Sequence, residues 1–132
     1  MGVAAFIVWV VHISIVLFMV LVPFLSVAWP IRLLHFVSGL TIGIHWLCHN
    51  DICFLTLLES QLRGVDYDKS FMYRIIHPIY NISDQQAKQV AYIGLPVLMA
   101  VNLMRLYAQR KDIVEDYHRL RAKKLERGIP AV

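Results

Sequence analysis

Gly2–Trp29, GVAAFIVWVVHISIVLFMVLVPFLSVAW, contains no side chain with a formal charge, and its reading decides the fold. A helix needs about 20 apolar residues to cross the hydrocarbon core of a bilayer, and this run is longer. A secretory signal peptide is the competing reading. It calls for a basic leading region, a shorter apolar core and a small-residue cleavage site. Here no basic side chain leads the run, and Pro30-Ile31-Arg32 follows it. A retained span over about 3–29 is therefore expected, kinked near its end by Pro23.

Outward from this run, Pro30-Ile31-Arg32 reads as a short turn, and a second apolar run from Leu33 reaches Leu47 before Cys48-His49-Asn50-Asp51. A span over 33–50 is expected, tilted or broken at Asn50-Asp51, with the apolar patch resuming over Ile52–Leu58. Gly39 and Gly43 form a G-x-x-x-G that permits close helix approach, to a partner or to another span of the same chain. A third span is expected over 88–107, with Lys88 and Arg105 snorkelling to opposite surfaces and Pro96 and Asn102 inside it. Ser83 and Gln86 have the spacing of a capping box at its start. The connection 51–87 reads as an interfacial loop, with a short helix between Ser70 and Tyr80 that suits the headgroup level.

Composition agrees with a membrane chain. Of 132 residues, 58% are hydrophobic and only 17% charged, too few charges to clothe a soluble domain of this size. The net charge of +4 is concentrated from Arg105 onward, where eight basic residues face four acidic ones. Three spans put Arg32 on the same side as this tail, so the positive-inside rule places the C-terminus on the cytoplasmic side. The division expected is a membrane domain over 1–109 and a basic helical tail over 110–132, ending at Gly128-Ile129-Pro130. The fold class is all-α, an integral membrane protein with three transmembrane helices.

Arg105, Arg110, Lys111, Arg119, Arg121, Lys123 and Lys124 are the residues expected to meet anionic headgroups or a partner. Glu115 and Arg119 form a favourable i,i+4 pair, and Ile113, Tyr117, Leu120 and Lys124 mark a thin stripe. Aromatic stacking residues are too sparse there for nucleic acid.

Several groups could carry chemistry. His45 and His49 stand one turn apart at the end of the second span, a spacing that suits a metal, but no second ligand pair stands out. Cys48 and Cys53 could form a disulfide or remain thiols. His12 and His35 lie inside spans, where imidazoles usually face the bundle interior; a haem between them is disfavoured by their different depths, and interhelical hydrogen bonding is expected. Thr56 and Glu59 share a face if the segment after Cys53 is helical, with Arg63 the i+4 partner of Glu59. No nucleophile–base arrangement, phosphate loop or catalytic carboxylate pair is evident, so neither an enzyme, a cofactor nor a small-molecule substrate is expected.

Trp29-Pro30, Leu34-His35, Trp46, Cys53-Phe54-Leu55-Thr56-Leu57-Leu58-Glu59 and Leu62-Arg63 resemble the pattern of a family of small bacterial three-span membrane proteins known only as a domain of unknown function. That pattern runs W-P, L-H, a small-residue helix, Trp, then C-P-L-T-P-L-E and L-R. His77-Pro78-Ile79-Tyr80, Asn102 and Tyr107 are similar to its later parts. Phe54 and Leu57 replace both prolines of the C-P-L-T-P-L-E element, which makes that turn more helical, and Cys48-His49-Asn50-Asp51 is inserted after Trp46. The chain resembles more closely a branch found in large DNA viruses of algae and protists. The resemblance implies a fold, with Trp29, Pro30, His35, Cys53, Thr56 and Glu59 as motif residues, but no activity; a viral origin implies a virion membrane component contacting the capsid. The function expected is thus a non-enzymatic structural protein that anchors a larger assembly to a bilayer, as a virion inner-membrane or minor capsid protein, with lipids and capsid proteins as partners. The alternative is a small redox or cofactor-binding subunit using His12, His35, His45 or His49. A lipid-modifying or transport-related protein built around Glu59 is a third reading.

Overall fold

The computed structural model describes residues 2–49, 52–67 and 69–126, with side chains as far as Lys123. All its regular elements are helices: α1 (Val3–Leu21), α2 (Trp29–Cys48), α3 (Phe54–Arg63), α4 (Phe71–Ile76), α5 (Asp84–Ala108) and α6 (Arg110–Glu126). α1, α2 and α5 are long and apolar enough to cross a membrane. Their outer faces carry large exposed apolar side chains such as Phe6, Leu17, Leu34, Ile44 and Ile93.

The first two boundaries differ from expectation. α1 stops at Leu21, so buried Pro23 lies in the following turn and kinks no helix. Trp29-Pro30 opens α2 and is no turn, with Pro30 in the first helical turn. A proline is at ease there, because its missing N–H would have had no intrahelical partner. The break expected at Asn50-Asp51 and the stop at Gly128-Ile129-Pro130 lie outside the described residues. Segment 54–63 is helical and ends at Gly64, whose φ of 65° supplies the left-handed C-cap. The capping box at α5 is present, with the Ser83 side chain on the Gln86 N–H and the Gln86 side chain on the Ser83 N–H. α5 and α6 are separated by a turn at Gln109. Arg119 lies 4.0 Å from Asp116, one residue along from the Glu115 expected.

The helices pack as two pairs. α1 lies along α3, and α2 along α5, whereas α1 touches α2 and α5 only sparingly. The α2–α5 crossing is close because Gly39 is there: a Cβ at that position would stand 2.9 Å from the Met99 sulfur and 3.1 Å from the end of Met19. Gly43 faces Leu95, so the G-x-x-x-G serves packing within the chain. At one end of the long helices the two pairs are tied by a buried guanidinium. Arg32, 2% exposed, donates to the Val22 and Leu25 carbonyls, to Asn102 Oδ1 and to Gln109 Oε1, with the Leu25 contact at 2.7 Å. Asn102 Nδ2 returns a bond to the Arg32 carbonyl at 2.8 Å, Gln109 Nε2 donates to Val27, and Trp29 Nε1 donates to Asp116 of α6. His35, fully buried, meets the Met19 carbonyl at 3.0 Å.

Two substitutions test this packing. Gly39→Val drives a branched side chain into Met99 and Met19 and is expected to cost about 1–3 kcal/mol, read as a lower unfolding midpoint in detergent. Gly94, whose Cβ would meet nothing within 4 Å, should accept leucine with stability unchanged or raised by up to about 1 kcal/mol, the helix-propensity gain over glycine.

Candidate functional site

At the opposite end from Arg32, α3 and α4 fold over the start of α1 and of α5. The centre of this cap is Glu59, whose carboxylate is completely buried. Arg74 approaches it as a fork, Nη1 on Oε1 and Nη2 on Oε2, both at 2.9 Å. Arg63 adds the expected i,i+4 bond to Oε1 at 3.1 Å. A buried carboxylate survives only when its charge is met and its lone pairs are filled, and two guanidinium groups do both. The fork joins α3 to α4, and Ser70 joins α4 to α5: its N–H and hydroxyl both donate to Asp84 Oδ1, at 2.8 and 2.5 Å.

Beside this cluster lies His12, 5% exposed, from the middle of α1. Its ring stacks on Phe71 with centroids 3.6 Å apart, and its Nε2 is 3.5 Å from the Cys53 sulfur. Its Nδ1 has no partner, and neither has the hydroxyl of Thr56, which is 2% exposed. Leaving such groups unpaired costs about 1–3 kcal/mol each, so both call for a partner from outside the chain, an ordered water or a bound molecule.

What they border is a cavity of about 860 Å³ between the two helix pairs. α1 contributes Ile15 and Met19, α2 Ser38 and Ile42, and α5 Gly94 and Leu98, while His12, Cys53 and Thr56 stand at its capped end. The wall is overwhelmingly apolar. A second cleft of about 370 Å³ adjoins it, with Thr56 and Tyr67 on the walls of both. Burial pushes the Tyr67 phenol above its usual pKa, so Tyr67 stays a donor. Chemically the arrangement offers a long apolar slot, hydrogen-bonding groups at one end and a basic cleft beyond. Cys53 and His12 form a thiol–imidazole contact, but no third group orients the ring through Nδ1.

The structure gathers His12, Cys53, Thr56 and Glu59 at this site. It leaves Trp29, Pro30 and His35 at the far end, in or beside the Arg32 knot. His12 and His35 are therefore held by different elements. His45 takes the Phe54 N–H on Nε2 and stacks on His49, with centroids 4.3 Å apart. Cys48 and Cys53 are both free. Among the described residues no three His, Cys, Asp or Glu side chains converge. Arg105, Arg110, Lys111, Arg119, Arg121 and Lys123 are all exposed, and the Lys124 side chain lies outside the described set. Arg74, Tyr67 and Phe71 were missed from sequence. Arg74, the single charge within the aromatic and aliphatic segment 71–76, was the signal for a partner in the cap.

A family model described as "Protein of Unknown function (DUF2784)" matches residues 2–108. The chain belongs to that family, and α6 lies beyond the match. No curated protein and no solved structure matches the chain.

Replacing Glu59 by glutamine leaves the two guanidinium groups without their shared anion. Glu59→Gln is expected to lower stability by about 1–3 kcal/mol, read as a drop in thermal midpoint in detergent; an unchanged midpoint would show that the fork contributes little.

Proposed function

We propose, from membership of this family and the cavity at its centre, that the protein crosses a bilayer three times and binds an amphiphile. The apolar chain of the ligand lies between α1, α2 and α5, and its polar end meets His12 and Thr56. The basic tail would sit on the cytoplasmic side with Arg32, the orientation that the positive-inside rule favours. The observation that carries this reading is a large apolar cavity whose capped end is lined by His12 and Thr56, each with a buried polar atom that has no partner within the chain. A space of about 860 Å³ with an almost wholly apolar wall, open between the helix pairs, is unfavourable to fill with water. Apolar matter fills it, and in a bilayer the matter at hand is a lipid chain. The function is binding or presentation of that molecule, with no catalytic group required.

A second reading, the anchoring of a larger assembly, is supported by α6. This helix carries exposed Val114, Tyr117 and Leu120 among its basic residues, and Asp116 latches it to Trp29. Its partner would be another protein of the assembly, a capsid protein in the virion version. Deletion of residues 110–126 would then release the partner and leave lipid binding intact.

Native mass spectrometry of the full chain released from mild detergent tests the first reading. One lipid mass should persist on the wild-type protein, and Gly94→Leu, which places a side chain on the cavity wall, should cut its occupancy about tenfold or more, the effect of filling a site whose ligand is held by about 1.4 kcal/mol per decade. Wild-type protein free of lipid, or a Gly94→Leu variant with undiminished occupancy, would refute it.

A further inference from the structure

We infer that the molecule bound in the long cavity is an uncharged lipid that ends in a free hydroxyl, seated against Thr56 and His12; this rests on the amphiphile reading above. Three features of the cavity lead to it. The first is which hydroxyls on its wall are left over. Ser14 and Thr41 turn back to carbonyls of their own helices, those of Val10 and Val37, at 2.7 and 2.9 Å. Ser70 gives its hydroxyl to Asp84. The Thr56 hydroxyl, on a residue 2% exposed, has neither acceptor nor donor. It stands at the same capped end as His12 Nδ1, which is unpartnered too.

The second is charge. Among the described residues Lys88 is the one side chain with a formal charge on the cavity wall, and Asp84 holds it at 3.2 Å. The cations of the adjoining cleft are engaged as well: Arg63 and Arg74 bind Glu59, and Lys69 donates to Tyr73. Arg74 Nε lacks an acceptor, but Arg74 lines that cleft and not the cavity. A phosphate or carboxylate set against Thr56 and His12 would therefore carry an unpaired charge into an apolar setting, and a quaternary ammonium would do the same. An ion so placed costs far more than a neutral polar group.

The third is the match of donors and acceptors. His12 Nε2 faces the Cys53 sulfur at 3.5 Å, and the proton between them can belong to either. A neutral imidazole thus offers Nδ1 as a donor in one tautomer and as an acceptor in the other, while a threonine hydroxyl both gives and takes. A hydroxyl on the ligand gives and takes as well, so it serves Thr56 and both tautomers of His12. An ester oxygen only accepts, and it leaves Nδ1 unpaired in the tautomer that has no proton there.

The full chain in detergent micelles can be titrated with four lipids of identical acyl chains: diacylglycerol, its acetyl ester, phosphatidic acid and phosphatidylcholine. Bound lipid is quantified by mass spectrometry after gel filtration. Diacylglycerol is expected to bind about tenfold tighter than the other three, the scale of leaving one buried group unpaired. Thr56→Val keeps the shape of the side chain and deletes its hydroxyl. It should cut the preference for diacylglycerol over the acetyl ester about threefold or more, with binding of the ester unchanged. Thr56→Ser retains the hydroxyl and should keep the preference, which separates loss of the hydrogen bond from loss of the fold. Equal binding of all four lipids, or a Thr56→Val protein with its preference intact, overturns the hydroxyl assignment and leaves the amphiphile reading standing. Tighter binding of any of the other three lipids overturns that assignment likewise. Failure of every lipid to bind overturns both.

Discussion

The constraint on which the architecture depends is the solvation of Arg32. It is a cation with 2% exposure, on a helix apolar enough to cross a bilayer, and it is met by four neutral oxygens. Such a charge cannot be left bare in a low-dielectric setting, so the groups that solvate it have to stay where they are. Two are carbonyls freed by the end of α1, one is the Asn102 amide of α5, and one is Gln109 at the turn into α6. A single guanidinium thus fixes how α1 ends, how α2 starts, how deep α5 sits and where the tail departs. Carbonyls at a helix end have no intrahelical donors of their own, which is why they are free to serve.

A second knot, around Glu59, closes the other end with the signs reversed: a buried anion held by two guanidinium groups. Between the knots little holds α1 against α2 and α5. The small residues of the G-x-x-x-G draw α2 to α5, Gly39 against Met99 and Met19 and Gly43 facing Leu95. Elsewhere Gly94 and Ser38 leave space rather than close it. The cavity follows from this arrangement. Two polar ties set the ends, and the middle has too little side-chain volume to fill the gap.

Much of this was legible in the sequence, and the rest was hidden for physical reasons. Uncharged runs announce long apolar helices, and the Ser83–Gln86 spacing announces a cap, because both signals are local. The Glu59–Arg63 pair was legible for the same reason. The start of α2 was misplaced because Pro30 serves equally well in a turn and in a first helical turn. The Arg74 fork and the His12–Phe71 stack join residues 15 and 59 positions apart, and no spacing rule reaches that far. Arg32 read as a marker of sidedness; its burial depends on Asn102, which is 70 positions away. The cavity had no signature at all, since it is made of volume that side chains do not fill.

The two knots also differ in what they ask of their surroundings. Arg32 is met within the chain: each of its three nitrogens has an acceptor and Asn102 returns a bond. The Glu59 side is not closed in the same way, since Arg74 Nε, Thr56 Oγ1 and His12 Nδ1 all lack partners there. A knot built only to hold helices together gains nothing from buried donors left over. His35 Nδ1, beside the Arg32 knot, lacks a partner too; the two ends differ in that three such atoms gather at the Glu59 end and those of His12 and Thr56 belong to cavity-lining residues. A ligand in the cavity would stabilise the cap itself, because it would meet His12 of α1 and Thr56 of α3 together. Ligand binding and the closure of α3 and α4 over α1 would then be one event, and a chain without its ligand would loosen at the cap while the Arg32 end stayed closed.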